Sequence, residues 1–291
     1  MAIKSKYRTP LANIGLFYSA AIWGSTFFIV KQSLLSIDPV ILVSYRFLIA
    51  AIILAGYLIY RGKALFAYLK EGLILGFFIW LLYIAQTIGL GITTAANSGL
   101  ITGLFVAFVP IFSLLIFNKI PSLKGITATI ISLTGLWVLT GGLQRVNAGD
   151  ILTLLSAMAY AVHILFADKY IKSGIDPYVL NFQQFLFVGI ASLITGLIFK
   201  LPFSVTQTDV IWVVLFLAVF PTLSAFVIQL AAQKITAPVR VSLILAFEPV
   251  FAVLFAWTFG REQFESAKAI GGFLIFLALV ISGLPVKKKA L

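Results

Sequence analysis

The stretch that decides the fold is TTAANSGLITGLFVAFVPIFSLLIF, residues Thr93–Phe117. It carries no charge, and it is long enough to cross a bilayer because roughly 20 apolar residues span the hydrocarbon core. Small and polar side chains fill its first half, and Pro110 interrupts its second half. We predict a membrane-spanning helix with a break at Pro110, because proline lacks the N–H that continues a helix.

A second stretch near the other end of the chain repeats this design: TAPVRVSLILAFEPVFAVLFAW, residues Thr236–Trp257. Pro249 corresponds to Pro110 and is the second predicted helix break, and the acidic Glu248 immediately precedes it. Interrupted apolar segments in matching positions of two halves are typical of a transporter binding site.

The composition excludes a water-soluble domain. Of the 291 residues, 62% are apolar and 10% are charged, against roughly 45–50% and 25% in soluble domains. The chain is therefore predicted to be a polytopic membrane protein that has the lipid bilayer as its surroundings. Its net charge of +12 is assigned to the loops, where it sets orientation, and no nucleic-acid partner is expected.

The rare residue types narrow the chemistry further. The chain has no cysteine and one histidine, which excludes disulfides, thiolate metal sites and multi-histidine metal sites. We expect no metal, no cofactor and no catalytic residues. A membrane enzyme would need a nucleophile–base constellation or a metal cluster, and the sequence offers little material for either.

Ten apolar segments follow one another along the chain, each bounded by charge, glycine or proline. Helices are the expected spanning element, because lipid cannot satisfy an open backbone and barrel-type alternation is absent. The predicted fold class is an all-α polytopic membrane protein with ten transmembrane helices. The predicted limits are 11–30, 39–60, 72–92, 95–118, 123–142, 149–171, 177–199, 210–232, 237–258 and 268–285.

Lysine and arginine set the predicted orientation. If the chain has ten spans, fourteen of its lysine and arginine residues fall on one side of the membrane and five on the other. Arg46 and Arg240 fall within spans. The asymmetry places both termini in the cytoplasm of a multi-pass inner-membrane protein.

The chain also repeats itself. The tripeptide IDP links spans one and two at residues 37–39 and spans six and seven at residues 175–177. Gln86 corresponds to Gln229, and Trp23 corresponds to Tyr160. Each repeat, 1–145 and 146–291, has five spans, an odd number, so the second enters the membrane from the opposite side. Such inverted repeats can open a central site to each side in turn.

These pieces resemble the drug/metabolite transporter superfamily, specifically its EamA-type members. The resemblance rests on WGSTF at 23–27, the Arg46-Phe47 pair, EPVFAVLFAW at 248–257 and GRE at 260–262, and it covers nearly the whole chain. It implies ten helices in two inverted repeats, a central cavity, and export or exchange of small metabolites. Substrates across the family range from amino acids and their derivatives to sugars linked to nucleotides.

Two charged residues within spans are candidates for coupling or for a charge pair. Glu248 is a functional candidate because an ionisable group inside a membrane costs roughly 2.5–3.5 kcal/mol on insertion scales. It could bind a proton or a substrate amine, or it could serve as a structural partner of Arg46 or of the backbone near Pro249. Arg46 could attract an anionic group, or it could form a fixed ion pair.

Polar and aromatic side chains in the spans form the predicted substrate site. Tyr83 and Gln86 share a helix face, because residues three apart are neighbours on a helix, and convergent amides with aromatic walls suit a small amphipathic ligand. His163 could respond to pH, or it could be a buried neutral histidine with one partner. The predicted substrate-binding residues are Trp23, Tyr83, Gln86, Asn97, Tyr160, His163 and Gln229.

The sequence therefore predicts an alternating-access transporter that exports or exchanges a small-molecule substrate, an amino acid or derivative. A carrier of sugars or nucleotide-linked sugars is the alternative, and a non-transport membrane protein ranks below it. Substrate identity, transport direction, coupling ion and oligomeric state stay open at this point.

Overall fold

The structure is a computed structural model, and it describes residues 5–118, 120, 123–140, 146–205, 207–235, 241, 244–245 and 247–283. The described residues form twelve α-helices and one π-helical turn, with no strand among them. The helices are α1 (Ser5–Ser33), α2 (Pro39–Tyr60), α3 (Leu69–Ile92), α4 (Ala95–Thr102), α5 (Phe105–Phe117), α6 (Leu123–Thr140), α7 (Ala148–Lys172), α8 (Pro177–Ile198), α9 (Asp209–Leu217), α10 (Ala225–Gln233), α11 (Glu248–Thr258) and α12 (Ser266–Gly283). The π-helical turn, Ala218–Ser224, joins α9 to α10.

The two IDP tripeptides start equivalent helices. The Asp38 carboxylate accepts hydrogen bonds from the N–H groups of Val40 and Ile41 at the start of α2. Asp176 accepts in the same way from the N–H of Tyr178 at the start of α8. In both places the aspartate is the N-cap and a proline follows at the first helical position. This order satisfies free N–H groups and fixes the backbone for helix entry.

Seven helical stretches are long and apolar enough to cross a membrane. They are Pro10–Ser33, Pro39–Tyr60, Leu69–Ile92, Ala95–Phe117, Ala148–Lys172, Pro177–Ile198 and Asp209–Gln233. Three shorter apolar helices, Ile126–Gly135, Glu248–Thr258 and Ser266–Ala278, lie where the sequence predicts the fifth, ninth and tenth spans. Over the described residues, the structure confirms an all-helical polytopic membrane protein.

The break in the fourth predicted span does not lie at Pro110. Pro110 lies inside α5, and the interruption falls at Gly103 and Leu104. There the N–H of Leu104 bonds to the carbonyl of Ile101, three residues earlier, instead of to the carbonyl four residues earlier as in an α-helix. Pro249 packs against Gly103, where a side chain would collide with it. The cause of the break is thus a long-range contact, which the local proline signal does not contain.

The second predicted break agrees better with the structure. Pro249 occupies the first turn of α11, which begins at Glu248. Proline is well suited to that position, since its missing N–H would have no helical partner there. The preceding part of the predicted ninth span, including Arg240, falls largely outside the described residues.

The helices pack around a core rich in aromatic side chains. α2 packs against α8, α3 against α7 and α6 against α12. Phe47, Phe105, Phe185 and Phe226 are all buried at the centre. Large apolar side chains also cover the outside of the bundle, as expected for a surface that faces lipid.

Candidate functional site

A small cavity of about 20 Å³, which has room for about one water molecule, lies at the centre of the bundle. Six helices contribute to it: α1, α3, α4, α7, α10 and α11. Its lining consists of Trp23, Thr26, Leu82, Tyr83, Gln86, Thr102, Tyr160, Phe226 and Glu248. A cavity with mostly aromatic walls and a few converging polar groups is the usual form of a small-molecule site.

Aromatic rings form most of the wall, and they hold one another in place. The rings of Trp23 and Tyr160 meet edge to face with centroids 6.3 Å apart. Phe226 lies 5.2 Å from Trp23 and 6.2 Å from Tyr83. The Trp23 Nε1–H donates a 2.6 Å hydrogen bond to the carbonyl of Pro221 in the π-helical turn. This bond fixes the indole, because a buried N–H without a partner would be costly.

Neutral polar groups occupy another part of the wall. The Gln86 side-chain amide donates to the Thr102 hydroxyl at 3.1 Å. Thr26 already donates to the carbonyl of Trp23, one helical turn earlier. The carbonyl oxygen of the Gln86 amide and the hydroxyls of Thr26, Thr102, Tyr83 and Tyr160 are therefore the neutral polar groups of the wall. The Tyr160 hydroxyl has no partner among the described residues.

Glu248 is the one ionisable acid in the lining. It is 5% exposed, and its Oε2 has no hydrogen-bond partner among the described residues. Its position depends on close packing of α1 against α11: a Cβ added at Gly24 would lie 2.8 Å from the Glu248 carbonyl oxygen. The glycine of the WGSTF segment thus lets the two helices approach until the carboxylate faces the cavity.

Arg46 lies near the cavity but does not line it. Its Nε donates to the Thr222 hydroxyl at 2.9 Å, and its guanidinium carbon lies 4.7 Å from the centre of the Tyr83 ring. One terminal nitrogen has no hydrogen-bond partner. The described residues contain three ion pairs, and a pair between Arg46 and Glu248 is not among them. The charge pair that the sequence suggests is therefore not formed in this structure.

His163 belongs to a separate buried chain of hydrogen bonds. Its Nε2 lies 3.0 Å from Gln184 Oε1, and Gln184 in turn donates to Asn181 Oδ1 at 2.6 Å. Asn181 then donates to the carbonyl of Phe226 at 3.4 Å. This order requires a proton on Nε2, since the Gln184 oxygen must accept. The sequence alternative of a buried histidine with one partner agrees with this geometry.

Gln229 and Asn97 also lie outside the lining. Gln229 is fully buried, and neither its side-chain nitrogen nor its oxygen has a partner among the described residues. Asn97 lies in the first turn of α4, where its backbone N–H bonds to the Thr94 hydroxyl. The structure therefore places five of the nominated residues in the cavity wall: Trp23, Tyr83, Gln86, Tyr160 and Glu248.

Four lining residues were not nominated from the sequence: Thr26, Leu82, Thr102 and Phe226. A helical-spacing signal was available for two of them. Thr26 is three residues after Trp23, and Phe226 is three residues before Gln229, so each shares a face with a nominated residue. Thr102 is recognised through its contact with Gln86 across the fold, which the sequence does not reveal.

A second group of polar side chains lies at the end of the bundle where α1 and α3 finish. We call Lys31, Thr93, Asp150 and Glu262 the distal cluster. Lys31 Nζ donates to the carbonyls of Leu90 and Thr93 at 2.8 and 2.6 Å.

The remaining contacts of the distal cluster tie further elements to this end of the bundle. The Thr93 hydroxyl donates to the Asp150 carboxylate at 2.5 Å. Glu262 accepts from the N–H groups of Ala95 and Ala96, at the start of α4. Together, these bonds join α1, the α3–α4 turn, α7 and the segment after α11.

Comparisons with known proteins agree with this architecture. A model described as the EamA-like transporter family matches residues 10–141 and again residues 147–284. A protein named as an uncharacterized transporter in Archaeoglobus fulgidus is 33% identical over 94% of this chain and 86% of its own length. An uncharacterized inner membrane transporter of Escherichia coli K12, YedA, is 25% identical over 95% and 92% of the two chains.

The fold also has a counterpart among solved structures. One crystal structure superposes with a TM-score of 0.70 at 17% sequence identity, covering 94% of this chain and 96% of the other. At that identity the likeness shows the fold alone. With an all-helical bundle, a central cavity and two family matches that span most of its length, the chain belongs to the EamA-like transporter family.

Proposed function

We propose that the protein is an inner-membrane transporter that exports or exchanges a small metabolite, an amino acid or derivative, by alternating access. The observation that carries this proposal is the buried central cavity, whose wall combines aromatic rings with an unpaired carboxylate. A polar group left without a partner inside a membrane protein is costly and marks a substrate or ion pathway. We assign transport and no enzymatic reaction to this cavity.

The proposed architecture is ten transmembrane helices in two inverted repeats, residues 1–145 and 146–291. The two separate family matches support two repeats. Contacts between corresponding residues also support them: Trp23 meets Tyr160, and Phe47 meets Phe185 at 5.7 Å between ring centroids. Equivalent residues touch each other when a pseudo-twofold axis passes between them, so the cavity would lie close to that axis.

The proposed orientation puts both termini in the cytoplasm. The distribution of lysine and arginine over the loops supports it. The name of YedA refers to an inner membrane, which supports the same membrane for this chain. In this orientation the distal cluster would face away from the cytoplasm.

The chemistry of the wall supports the amino-acid assignment. Aromatic rings, one amide, four hydroxyls and one carboxyl group suit a small amphipathic molecule. A nucleotide-linked sugar would need cationic side chains for its phosphates, and no lysine or arginine is in the lining. The sugar-carrier alternative from the sequence is therefore not favoured.

Counterflow in liposomes tests the proposal. The purified protein is reconstituted, loaded with unlabelled neutral amino acids and supplied with the radiolabelled compounds outside. We expect saturable exchange that falls about fivefold in a Gln86→Ala variant, because one hydrogen-bonding group in the cavity wall contributes about 1 kcal/mol.

The matched control is Gln207→Ala, which removes an exposed glutamine outside the bundle core and should leave exchange unchanged. All three proteins are compared at equal reconstituted amounts and after a size-exclusion test of folding. Exchange by Gln86→Ala at the wild-type rate would remove the Gln86 amide from the proposed site.

A further inference from the structure

The central cavity contains one carboxyl group, that of Glu248, which has no positively charged partner in the described part of the protein. Glu248 lines the cavity, and its Oε2 is buried without a hydrogen bond. None of the ion pairs among the described residues includes it. A ligand that brings a positive charge would stabilise the ionised form of this buried carboxyl group, because an unpaired buried charge is costly.

Arg46 does not supply that charge. Its Nε donates to the Thr222 hydroxyl and its guanidinium lies over the Tyr83 ring, while one terminal nitrogen has no partner. Arg46 forms no ion pair with Glu248 among the described residues. Since Arg46 does not line the cavity, a ligand in the cavity meets the Glu248 carboxylate and not the guanidinium.

The rings around Glu248 favour the same ligand chemistry. Trp23, Tyr83, Tyr160 and Phe226 surround the cavity together with the carboxylate. The faces of aromatic rings attract cations, and tryptophan and tyrosine are the most effective. The Tyr83 ring already carries the Arg46 guanidinium. The rings of Trp23, Tyr160 and Phe226 beside a single carboxyl group therefore favour an ammonium group in the cavity over a neutral one.

The cavity offers no comparable partner for an anionic group. Its other polar groups are the amide of Gln86 and the hydroxyls of Thr26, Thr102, Tyr83 and Tyr160, all neutral. These groups can hydrogen-bond to a carboxyl, an amide or a hydroxyl alike. The polar wall thus distinguishes ligands by their positive charge and tolerates variation at the other end.

We propose that this cavity recognises the protonated amine of its substrate through Glu248 and the surrounding rings, and that a substrate carboxylate is not required. The inference rests on the proposed function for its place at a transport site. It narrows the substrate class to small primary amines, including amino acids and their neutralised derivatives such as amides.

Four leucine compounds test the proposal, because they vary the two charges independently. Leucine has both charges, leucinamide has only the ammonium, N-acetylleucine has only the carboxylate, and N-acetylleucinamide has neither. Binding of each to the full-length purified protein is measured by isothermal titration calorimetry. We expect the two free amines to bind at least about 30-fold more tightly than their acetylated counterparts. This ratio corresponds to the loss of about 2 kcal/mol of binding free energy when the charge partner of a buried group is removed.

Variants then connect the preference to Glu248. Glu248→Gln should reduce the ratio between free and acetylated amines to near one, and Glu248→Asp should retain part of it. Asp209→Asn, which neutralises an exposed acid at the start of α9, is the matched control and should keep the wild-type ratio. If Glu248→Gln does not fold, the wild-type series still decides whether the amine is recognised.

The outcomes separate this inference from the proposed function. Equal binding of free and acetylated compounds, a preference that follows the carboxylate, or no binding by any of the four overturns the inference. Amine-dependent binding without leucine counterflow supports the amine site and contradicts transport of leucine. Leucine counterflow with no effect of acetylation on binding supports transport and overturns the amine site alone.

Discussion

Two helix crossings in this protein have related designs but differ in how tightly they close. At the distal end of the bundle, α3 crosses α7 through Gly89 and Gly149. At the opposite end, α1 crosses α10 near Ala12 and Ala232. Under the proposed repeat these crossings are equivalent, since Gly149 corresponds to Ala12 and Gly89 to Ala232.

At the distal crossing the backbones of α3 and α7 are in direct contact. A Cβ added at Gly149 would lie 2.5 Å from the carbonyl oxygen of Gly89, and one at Gly89 would lie 2.7 Å from that of Gly149. The Thr93–Asp150 hydrogen bond then joins the same two helices. Small residues allow this approach, and buried polar groups hold it.

The other crossing has a groove of about 420 Å³ between α1 and α10, with Ala12, Gly15, Ile228 and Ala232 in its wall. The two helices still touch there, because a Cβ added at Gly15 would lie 2.8 Å from the Ile228 side chain. Asn13, which corresponds to Asp150, has a buried side-chain oxygen with no partner among the described residues. The α3–α7 crossing thus has a polar hydrogen bond where the α1–α10 crossing has an unpaired Asn13 oxygen. Under the proposed repeat, this difference would let one end of the carrier open while the other stays closed.

The largest effect is expected from forcing the closed crossing apart. Gly149→Ala places a methyl group against the Gly89 carbonyl and should destabilise the protein by about 1–3 kcal/mol, the usual cost of overpacking. Thermal unfolding in detergent measures it. Gly56→Ala is the control, because a Cβ there meets nothing within 4 Å and alanine favours a helix. Equal melting temperatures for the two variants would contradict the close approach at Gly149.

A smaller effect is expected from removing the hydrogen bond between Thr93 and Asp150 at the same crossing. Thr93→Val removes the donor to Asp150 and should cost about 1 kcal/mol, which raises the population of the opened distal end about fivefold. Because the chain has no cysteine, a single Ser98→Cys reporter beside Thr153 can be labelled with a water-soluble maleimide. The initial labelling rate gives the population.

Thr127→Val serves as the control for this release, since the Thr127 hydroxyl is exposed and bonds within its own helix to the Leu123 carbonyl. It should leave labelling at Ser98→Cys unchanged. A Thr93→Val variant that labels no faster than this control would mean that the bond does not hold the crossing closed.

The smallest effect is expected at the opposite end, where the tie is an exposed ion pair. Lys63 contacts Asp176 at 3.0 Å, with half of the lysine side chain exposed. Burial acts to raise the pKa of Asp176, but the hydrogen bonds from Lys63 and the Tyr178 N–H and the nearby positive charges outweigh it and lower the pKa. Lys63→Met should cost less than about 1 kcal/mol.

The sign of its pH dependence follows from the lowered pKa. A carboxylate of this kind stabilises the fold above its unfolded-state pKa, and the contribution is lost as the pH falls through the folded-state value. The difference between wild type and Lys63→Met should therefore be present at neutral pH and vanish in acid. Lys172→Met, whose partner Asp168 lies on the same helix, controls for general loss of charge. A difference that grows in acid would contradict the assignment.

Much of the fold was accessible from the sequence because its causes are local. Apolar runs longer than a bilayer locate the helices, and the Asp-Pro pairs at residues 38–39 and 176–177 mark where two of them start. The break at Gly103 was not accessible, because it depends on the approach of Pro249 from a distant part of the chain.

The candidate site was accessible in part for the same reason. Residue type alone identifies Trp23, Tyr83 and Glu248 as unusual in lipid, and they line the cavity. The directions of His163 and Gln229 were not predictable, because helix rotation and partners such as Gln184 decide which way a buried side chain points. The sequence identifies the polar residues of the helices. The packing of the helices decides which of these residues face the cavity.

The π-helical turn at Ala218–Ser224 changes the angular phase of the helix that contains it. One extra residue in a helical turn shifts everything beyond it by about 100° around the axis. Trp212 before the turn is 70% exposed on the outside, whereas Phe226 after it is 1% exposed and lines the cavity. A one-residue deletion within the turn would restore regular α-helical spacing and rotate Phe226 away from Trp23. The cavity would change shape although none of its residues is replaced.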